Sequence, residues 1–217
     1  MIAPLSPQTP SPLSSAPAAP SAPSAPAAPT ASAEDREAAP VLGARPFERV
    51  AASVTLDSLP GRVLDRRELR GLARAVAADR ELWQRHVAFD DDNRHYVCLH
   101  RDAHVDVWLL CWTPRNDTGW HDHDISCGAV AVADGTLVEH NLAVGRPSLA
   151  TEVHAGQVYC FGPDHIHRIT GRAAASVSVH AYSPPLGRMG QYTVSRTGIL
   201  RRTSVSYADE LRALDGV

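Results

Sequence analysis

Two short histidine-bearing stretches restrict the folds open to this chain more than any other feature of its sequence. The first reads Gly-Trp-His-Asp-His over residues 119–123, and the second reads Gly-Pro-Asp-His-Ile-His over residues 162–167. In a strand, alternate side chains share a face, so His121 and His123 can point at one centre while the aspartate between them faces away. A third histidine from the second stretch would complete a set of neutral nitrogen ligands and leave positions on a metal ion open. We interpret the rest of the chain as the support for that site.

The pattern after Asn93 predicts strands that could hold such a site. Apolar and polar residues alternate there, or apolar residues form short runs bounded by turn residues. The predicted strands are Tyr96–Leu99, Val105–Trp112, Gly128–Ala133, Thr136–Glu139, Gln157–Phe161 and Ser176–Tyr182. The dipeptide Asp134-Gly135 predicts a hairpin turn, and Pro184-Pro185 ends the last strong strand. We therefore expect an all-β sandwich or barrel.

Helices are predicted before the strands, where they would cap the barrel. Asp65 and Glu68 have capping-box spacing at the start of an amphipathic helix. The apolar residues that then repeat at helical intervals are Leu69, Leu72, Ala73 and Val76. A second helical stretch is expected over 81–86, and a short helix over 47–54. The acidic run at 90–93 lacks the ligand spacing of a calcium loop and predicts a solvated turn.

The chain divides by composition near residue 46. Residues 1–45 are rich in proline, alanine and serine and hold ten of the 17 prolines. Such a segment cannot bury enough apolar surface to offset its ordering entropy, so we expect a disordered tail at 1–45 and one folded domain at 46–217. Residues 207–214 are compatible with either a terminal helix or a packed tail.

The charge balance favours a small-molecule partner. The chain has 21 basic and 24 acidic residues, which gives no general attraction to nucleic acid or to a membrane. All basic residues are arginine, so a Schiff-base lysine and a P-loop lysine are excluded. The sequence shows neither a signal-peptide pattern nor an apolar run long enough to cross a bilayer, so we expect a cytoplasmic protein. We also expect a monomer.

The histidine stretches, placed on two strands of a β-barrel, resemble the paired motifs of the cupin superfamily. The resemblance implies a double-stranded β-helix, or jelly-roll, barrel. Most cupins add a glutamate shortly after the first motif, where this chain has Ser126, Cys127 and Gly128. Within the cupins the chain is similar to the thiol dioxygenases, and in particular to cysteine dioxygenase, over roughly residues 96–192. The most specific part of the resemblance is Ser-Val-His-Ala-Tyr-Ser-Pro-Pro at 178–185.

This resemblance implies a metal site and a hydrogen-bond relay. The implied Fe(II) ligands are His121, His123 and His167. They would leave three positions on the ion for a substrate thiolate, its amine and dioxygen. The implied catalytic relay consists of Ser178, His180 and Tyr182. His165 is an alternative third ligand, although the motif spacing and the Arg168 that follows favour His167.

The chain departs from the family pattern at two further positions. Some members join the relay tyrosine to a cysteine by a thioether bond, but the matching residue here is Gly128, with Cys127 just before it. We therefore expect Tyr182 to be uncrosslinked. Matching Tyr96 places Cys98 where cysteine-specific members carry the arginine that binds the substrate carboxylate. The remaining candidates for that role are Arg101, Arg168 and Arg188, of which we select Arg101 and Arg168.

The leading functional hypothesis is an iron-dependent dioxygenase that oxidises L-cysteine to cysteine sulfinate with dioxygen. The same chemistry on another small thiol, such as 3-mercaptopropionate, is an alternative because the carboxylate-binding arginine is displaced. Two further alternatives are a cupin isomerase or other dioxygenase that uses Zn, Mn or Ni, and a non-catalytic metal-binding cupin sensor. Oxygen consumption with a thiol would separate the enzyme from the sensor.

Overall fold

The fold is described from a computed structural model, which covers residues 54–143, 147–195 and 197–206. The tail expected at 1–45 and the segment at 207–214 lie outside the described residues, as does all but the last residue of the helix expected at 47–54. The rest of the expected domain can be compared with the structure element by element.

A short helical layer precedes the strands. It consists of a 3₁₀ turn at Leu56–Ser58, helix α1 at Arg66–Ala78, helix α2 at Arg80–Trp83 and a 3₁₀ turn at Gln84–His86. The second predicted helix is therefore split into one α turn and one 3₁₀ turn. Among the described residues, no helix is long and apolar enough to cross a membrane.

The predicted capping box at the start of α1 is confirmed. The Asp65 carboxylate accepts hydrogen bonds from the backbone N–H groups of Arg67 and Glu68, and the Glu68 carboxylate accepts one from the Asp65 N–H at 3.0 Å. These bonds satisfy donors that have no partner inside the helix, a contribution of about 1 kcal/mol. The buried face of α1 consists of Leu69, Leu72, Ala73 and Val76.

Eleven strands follow in the described ranges, and the expected mainly β fold is confirmed. They are β1 Tyr96–Arg101, β2 Asp106–Trp112, β3 Trp120–Asp122, β4 Cys127–Asp134, β5 Thr136–Asn141, β6 Leu149–His154, β7 Val158–Phe161, β8 His167–Gly171, β9 Ser176–Ser183, β10 Arg188–Val194 and β11 Leu200–Ser206. All six strands predicted from the apolar pattern are present. Two more strands, β10 and β11, follow the prolines that were expected to end the last strong strand.

The strands form two antiparallel sheets, as expected for a double-stranded β-helix. One sheet has the order β1-β2-β9-β4-β7, and the other has the order β11-β10-β3-β8-β5-β6. The predicted hairpin at Asp134-Gly135 is wrong, because β4 and β5 belong to different sheets and the turn passes the chain from one to the other. Gly135 has a φ of 73°, and a side chain there would collide with Ala175 and Ser176. A glycine is therefore required at a tight crossing as well as in a hairpin.

Strand β2 is buried on both faces, which explains its continuous apolar run. The β2 side chains that face α1 are Val107, Leu109 and Cys111. The β2 side chains that face the layer between the two sheets are Trp108, Leu110 and Trp112. Because β9 alternates in the same way, its Ser178, His180 and Tyr182 also point between the sheets. This layer contains the candidate site.

Candidate functional site

Three histidines meet in the layer between the sheets. Strands β3 and β8 are antiparallel neighbours, with His121 directly opposite His167, and His123 follows the end of β3. The ligand atoms of these three side chains lie within 4.8 Å of one another, and all three residues are buried. The backbone pairing of β3 with β8 thus brings the two histidine stretches together.

The hydrogen bonds of His121 and His167 leave the same ring nitrogen of each available. The Nδ1 of His121 lies 3.1 Å from the Gly119 carbonyl oxygen, and the Nδ1 of His167 lies 2.9 Å from Oε1 of Glu139. A carbonyl oxygen and a carboxylate can only accept, so both Nδ1 atoms carry the hydrogen. In a neutral ring the Nε2 atom is then the free electron-pair donor, as a metal ligand must be.

The unpartnered nitrogens of this trio fit a metal ion. Both ring nitrogens of His123 and the Nε2 of His167 are buried and have no hydrogen-bond partner among the described residues. Burying such polar atoms unpaired is costly, and a bound cation would remove that cost. Burial also lowers the pKa of His121, His123 and His167 below the usual range for histidine. The rings are therefore neutral at physiological pH, the state that binds a metal.

His165 lies outside the trio and bonds to the carboxylate behind it. Its Nε2 donates to Oε1 of Glu139 at 2.9 Å, the same oxygen that accepts from His167. The side chain of His165 is 28% exposed, whereas that of His167 is fully buried. Burial alone would raise the pKa of the Glu139 carboxyl, but the hydrogen bonds from His165 and His167 lower it to about 2. Glu139 is thus a charged acceptor that orients His167, and His165 is its second donor.

Phe161 forms an apolar wall beside the trio. Its ring stacks on His123 with centroids 4.6 Å apart and on His165 with centroids 5.2 Å apart. Gly128 makes this position possible, because a side chain at residue 128 would collide with the Phe161 ring and lie 3.1 Å from Tyr182. Gly128 therefore faces Tyr182, while Cys127 packs on the helix side of the same sheet. This placement is consistent with an uncrosslinked Tyr182.

Three side chains of β9 form a buried hydrogen-bond chain. Ser178 Oγ lies 2.8 Å from Nε2 of His180, and Nδ1 of His180 lies 3.2 Å from the Tyr182 hydroxyl. The indole N–H of Trp112 donates to Ser178 Oγ at 2.8 Å. Burial, together with the charge of Arg94, lowers the pKa of His180 to about 3, so its ring is neutral.

A small cavity of about 30 Å³ adjoins His121 and Tyr182, far below the roughly 150 Å³ of an engineered cavity that accepts benzene. Its lining consists of Arg94, Trp108, Leu110, Thr118, His121, Ile169, His180, Tyr182, Leu186 and Met189. Arg94 is only 8% exposed, and its guanidinium lies 4.8 Å from the centre of the Trp112 ring. The cavity thus combines apolar walls with one buried cation.

The arginines selected from the sequence lie elsewhere. Arg101 donates to the Leu186 carbonyl oxygen and lies 3.8 Å from the buried Asp106. Arg168 is paired with Asp117 through several hydrogen bonds, and Arg188 is exposed near Asp124. None of the three lines the cavity in the part of the chain that the structure describes. Arg101 and Arg168 therefore lie away from this cavity, and their role in binding a carboxylate stays a prediction from the sequence.

Sequence reasoning missed Arg94 because this residue follows the acidic turn at 90–93 and looks like part of a solvated loop. One signal could have identified it. Arg94 and Tyr96 are two residues apart, so in an extended segment they share a face, and Tyr96 was the residue matched to the carboxylate-binding strand. A cation that binds the carboxylate could therefore be expected among the residues that share a strand face with Tyr96, and Arg94 is one of them.

On the outward face of β3, Asp122 forms an ion pair and hydrogen bonds with residues of β10 and β11. The Asp122 carboxylate accepts hydrogen bonds from Arg202 at 2.7 and 2.8 Å and from the Tyr192 hydroxyl at 2.6 Å. Burial would raise the pKa of Asp122, but these partners lower it well below the usual range for aspartate. Because Tyr192 lies on β10 and Arg202 on β11, these contacts fix β3 from the side opposite the trio.

The chain matches the family described as cysteine dioxygenase type I over residues 41–195. A comparison with curated protein sequences found no significant match. Among solved structures, a conserved protein with a double-stranded β-helix domain from Klebsiella pneumoniae is 13% identical, with 55% of this chain and 92% of that chain covered and a TM-score of 0.42. A cupin superfamily protein from Desulfitobacterium hafniense is 10% identical, with 45% and 83% covered and a TM-score of 0.39. The family match includes both histidine stretches, the β9 relay and Arg94.

Proposed function

Because the chain belongs to the cysteine dioxygenase type I family, we propose that this cupin-type, metal-dependent thiol dioxygenase uses Fe(II) and oxidises L-cysteine to cysteine sulfinate with dioxygen. The observation that carries the proposal is that His121, Tyr182 and Arg94 line one small cavity. A candidate metal ligand, a hydroxyl group and a buried cation therefore surround a single space.

The donor set supports the metal. His121, His123 and His167 offer three neutral nitrogens and no carboxylate, a set suited to a divalent transition metal. Fe(II), when bound, supplies open coordination positions and the redox chemistry with dioxygen. The imidazoles add no negative charge, so the site favours the anionic thiolate form of a substrate.

Arg94 is the proposed partner of the substrate carboxylate. A guanidinium presents donors in a planar fork that matches a carboxylate, and burial strengthens the pairing. Trp112 holds this group through its ring face, and the apolar cavity walls exclude water from it. Binding the carboxylate at Arg94 would orient the thiol group of the substrate toward His121, which lines the same cavity.

Tyr182 is the proposed catalytic donor. Its hydroxyl lies at the end of the chain from Ser178 through His180, and its side chain lines the cavity. A hydroxyl fixed in this way can donate a hydrogen bond to the reacting group without reorganisation, which is the condition for transition-state stabilisation.

One observation favours a second candidate substrate, 3-mercaptopropionate. Within the described ranges, no acidic side chain lines the cavity, so the protein offers no counter-ion there for the ammonium group of cysteine. A thiol with a carboxylate and no amine would use Arg94 equally well.

Oxygen uptake by the iron-loaded protein tests the proposal. We expect kcat/KM to be highest for L-cysteine and lowest for cysteamine, which has no carboxylate. A higher value for 3-mercaptopropionate would select the second candidate. No oxygen uptake with any of these thiols, from protein shown by metal analysis to carry iron, would overturn the thiol dioxygenase assignment.

A pair of arginine variants tests the carboxylate contact. Arg94→Gln should raise KM for L-cysteine by roughly ten- to hundredfold, the usual range for losing a hydrogen-bonded charge, and should leave KM for cysteamine unchanged. Arg101→Gln is the control and should keep the wild-type KM for both thiols. A large KM increase in Arg101→Gln alone would restore the assignment made from the sequence.

A further inference from the structure

We propose that Trp112 is a positioning residue that fixes the direction of the β9 hydrogen-bond chain, so that Tyr182 accepts from His180 and donates its own hydroxyl hydrogen elsewhere. The catalytic meaning of this arrangement rests on the proposed function. The arrangement itself follows from the hydrogen-bonding capacity of four buried side chains.

The first donor of the hydrogen-bond chain is Trp112, a fully buried residue of β2. Its indole N–H can only donate, and it lies 2.8 Å from Ser178 Oγ. One lone pair of the serine oxygen is therefore occupied by Trp112. The backbone pairs Leu110 with Ser178, and this register keeps Trp112 and Ser178 two residues apart on neighbouring strands.

The hydroxyl hydrogen of Ser178 has one available acceptor. Apart from Trp112, the hydrogen-bond partner of Ser178 Oγ within the described residues is Nε2 of His180, at 2.8 Å. Because Trp112 cannot accept, the serine must donate to His180. The Nε2 atom of His180 is then the unprotonated nitrogen of the ring.

The neutral ring of His180 must then carry its hydrogen on Nδ1. This atom lies 3.2 Å from the Tyr182 hydroxyl oxygen, so His180 donates and Tyr182 accepts. The hydroxyl hydrogen of Tyr182 cannot point back to His180 and is directed to another acceptor. Since Tyr182 lines the cavity, a group bound in the cavity is such an acceptor.

The opposite direction would leave a hydrogen without an acceptor. If His180 donated from Nε2, Ser178 Oγ would receive two hydrogens, from Trp112 and from His180. The serine hydrogen would then have no acceptor in the portion of the chain that the structure describes. Tyr182 would in turn donate to His180 and could not donate into the cavity.

Nitrogen NMR of the histidine rings tests the direction directly. In the full-length protein loaded with diamagnetic Zn²⁺, His180 should show a protonated Nδ1 and an unprotonated Nε2, with the His180→Gln variant used to assign its signals. A protonated Nε2 would overturn the proposal. This result needs no turnover, so it stands or fails independently of the thiol dioxygenase assignment.

The Trp112→Phe variant tests the part played by the indole N–H, while it keeps an aromatic face beneath Arg94. Without that donor, both directions become possible. We expect signals of both His180 tautomers and a kcat lowered by roughly two- to tenfold at unchanged KM, in proportion to the competent fraction.

Trp83→Phe is a matched control. Trp83 is also buried, donates its indole N–H to the Ala77 carbonyl oxygen at 3.2 Å and has a guanidinium, that of Arg80, 5.4 Å from its ring centre. It lies in the helical layer, so its variant should lose stability and keep both the wild-type tautomer and kcat. A single Nδ1-protonated His180 in Trp112→Phe would remove the role of Trp112, even with the direction confirmed in the wild type.

Discussion

The two His-x-His pairs have the same spacing and different surroundings. His121 and His123 both belong to the trio and are buried against aromatic rings. In the second pair only His167 belongs to it, while His165 is partly exposed and donates to Glu139. Spacing alone therefore does not decide which histidines converge on the trio.

The difference arises from where each strand begins and what lies behind it. His121 lies within β3, whereas β8 begins only at His167, so His165 belongs to the turn that precedes the strand. The alternation of faces applies to extended chain and not to a turn. Glu139 lies on the outer side of His167, and its carboxylate accepts the hydrogen bond of His165 there. A His-x-His pair thus predicts two ligands only when both residues lie on one extended segment or next to it.

The largest contrast is expected between His123→Ala and His165→Ala. Removing His123 leaves two imidazoles, a poor facial site, so the variant should retain almost no iron and no activity. Removing His165 should leave iron content near that of the wild type, because the Nε2 atom of His165 is directed to Glu139 and not to the centre of the trio. Metal analysis of both purified proteins is the measurement. Stoichiometric iron in His123→Ala, or an iron-free His165→Ala, would reverse the distinction between the pairs.

Tyr182 lies beside the first pair, and its replacement should lower the rate of turnover without removing the metal. The Tyr182 ring lies 5.1 Å from that of His123, and Tyr182→Phe removes only the hydroxyl group. Loss of one positioned donor typically costs about 2.7 to 4 kcal/mol of transition-state stabilisation, so kcat should fall roughly a hundred- to thousandfold with iron retained. Oxygen uptake and thermal melts measure rate and stability separately. Wild-type turnover with a stability loss of about 1 kcal/mol would identify a structural tyrosine.

Glu139→Gln should lower the metal affinity of the site through the contact between Glu139 and His167. The amide oxygen can still accept a hydrogen bond, but it lacks the charge that orients His167 and raises its basicity. Loss of such an outer partner typically costs about 10- to 100-fold in metal affinity. Competition with a chelator measures this change, and Glu152→Gln, at an exposed position of β6, is the matched control. Equal affinities in the two variants would show that Glu139 does not support the metal.

The smallest expected effect is the pH dependence of stability in the metal-stripped protein. The pKa of Glu139 is lowered from 4.5 to about 2 in the folded state, so its contribution is present above pH 4.5 and is lost as the pH falls toward 2. Glu139→Gln should therefore be less stable than the wild type at pH 7, by up to about 3 kcal/mol. The difference should shrink between pH 4.5 and pH 2. Chemical denaturation at several pH values measures it, and a constant difference would contradict a charged Glu139.

The apolar pattern was sufficient for β2 and β9, which are buried over their whole length, and insufficient for the exposed edge strands β6 and β11. β2 and β9 are apolar or alternate over their whole length, and both were predicted. β6 and β11 are mostly exposed edge strands that mix charged, polar and apolar residues, so they carry little periodic signal. The pairing of strands across two sheets was not readable from local pattern, as the Asp134-Gly135 turn shows.

The site was predictable where its residues share one short segment and not where they come from distant ones. His121 with His123, and Ser178 with His180 and Tyr182, follow from alternation along a strand together with the family resemblance. Arg94 reaches the cavity from the start of the first strand, and Trp112 reaches Ser178 across a strand pair. Such contacts depend on tertiary register, which a single sequence does not display.

The chain passes back and forth between the two sheets, so strands that pair in space can be far apart in sequence. Strands β3 and β8 are neighbours in space, but four strands lie between them in the chain: β5 and β6 belong to the same sheet, and β4 and β7 belong to the other. Non-local pairings of this kind are the slow ones in folding, so we expect the approach of His167 to His121 and His123 to be a late step. Because the three histidines meet only when β3 pairs with β8, we expect a metal ion to bind the folded barrel and to add its binding free energy to the stability of the fold.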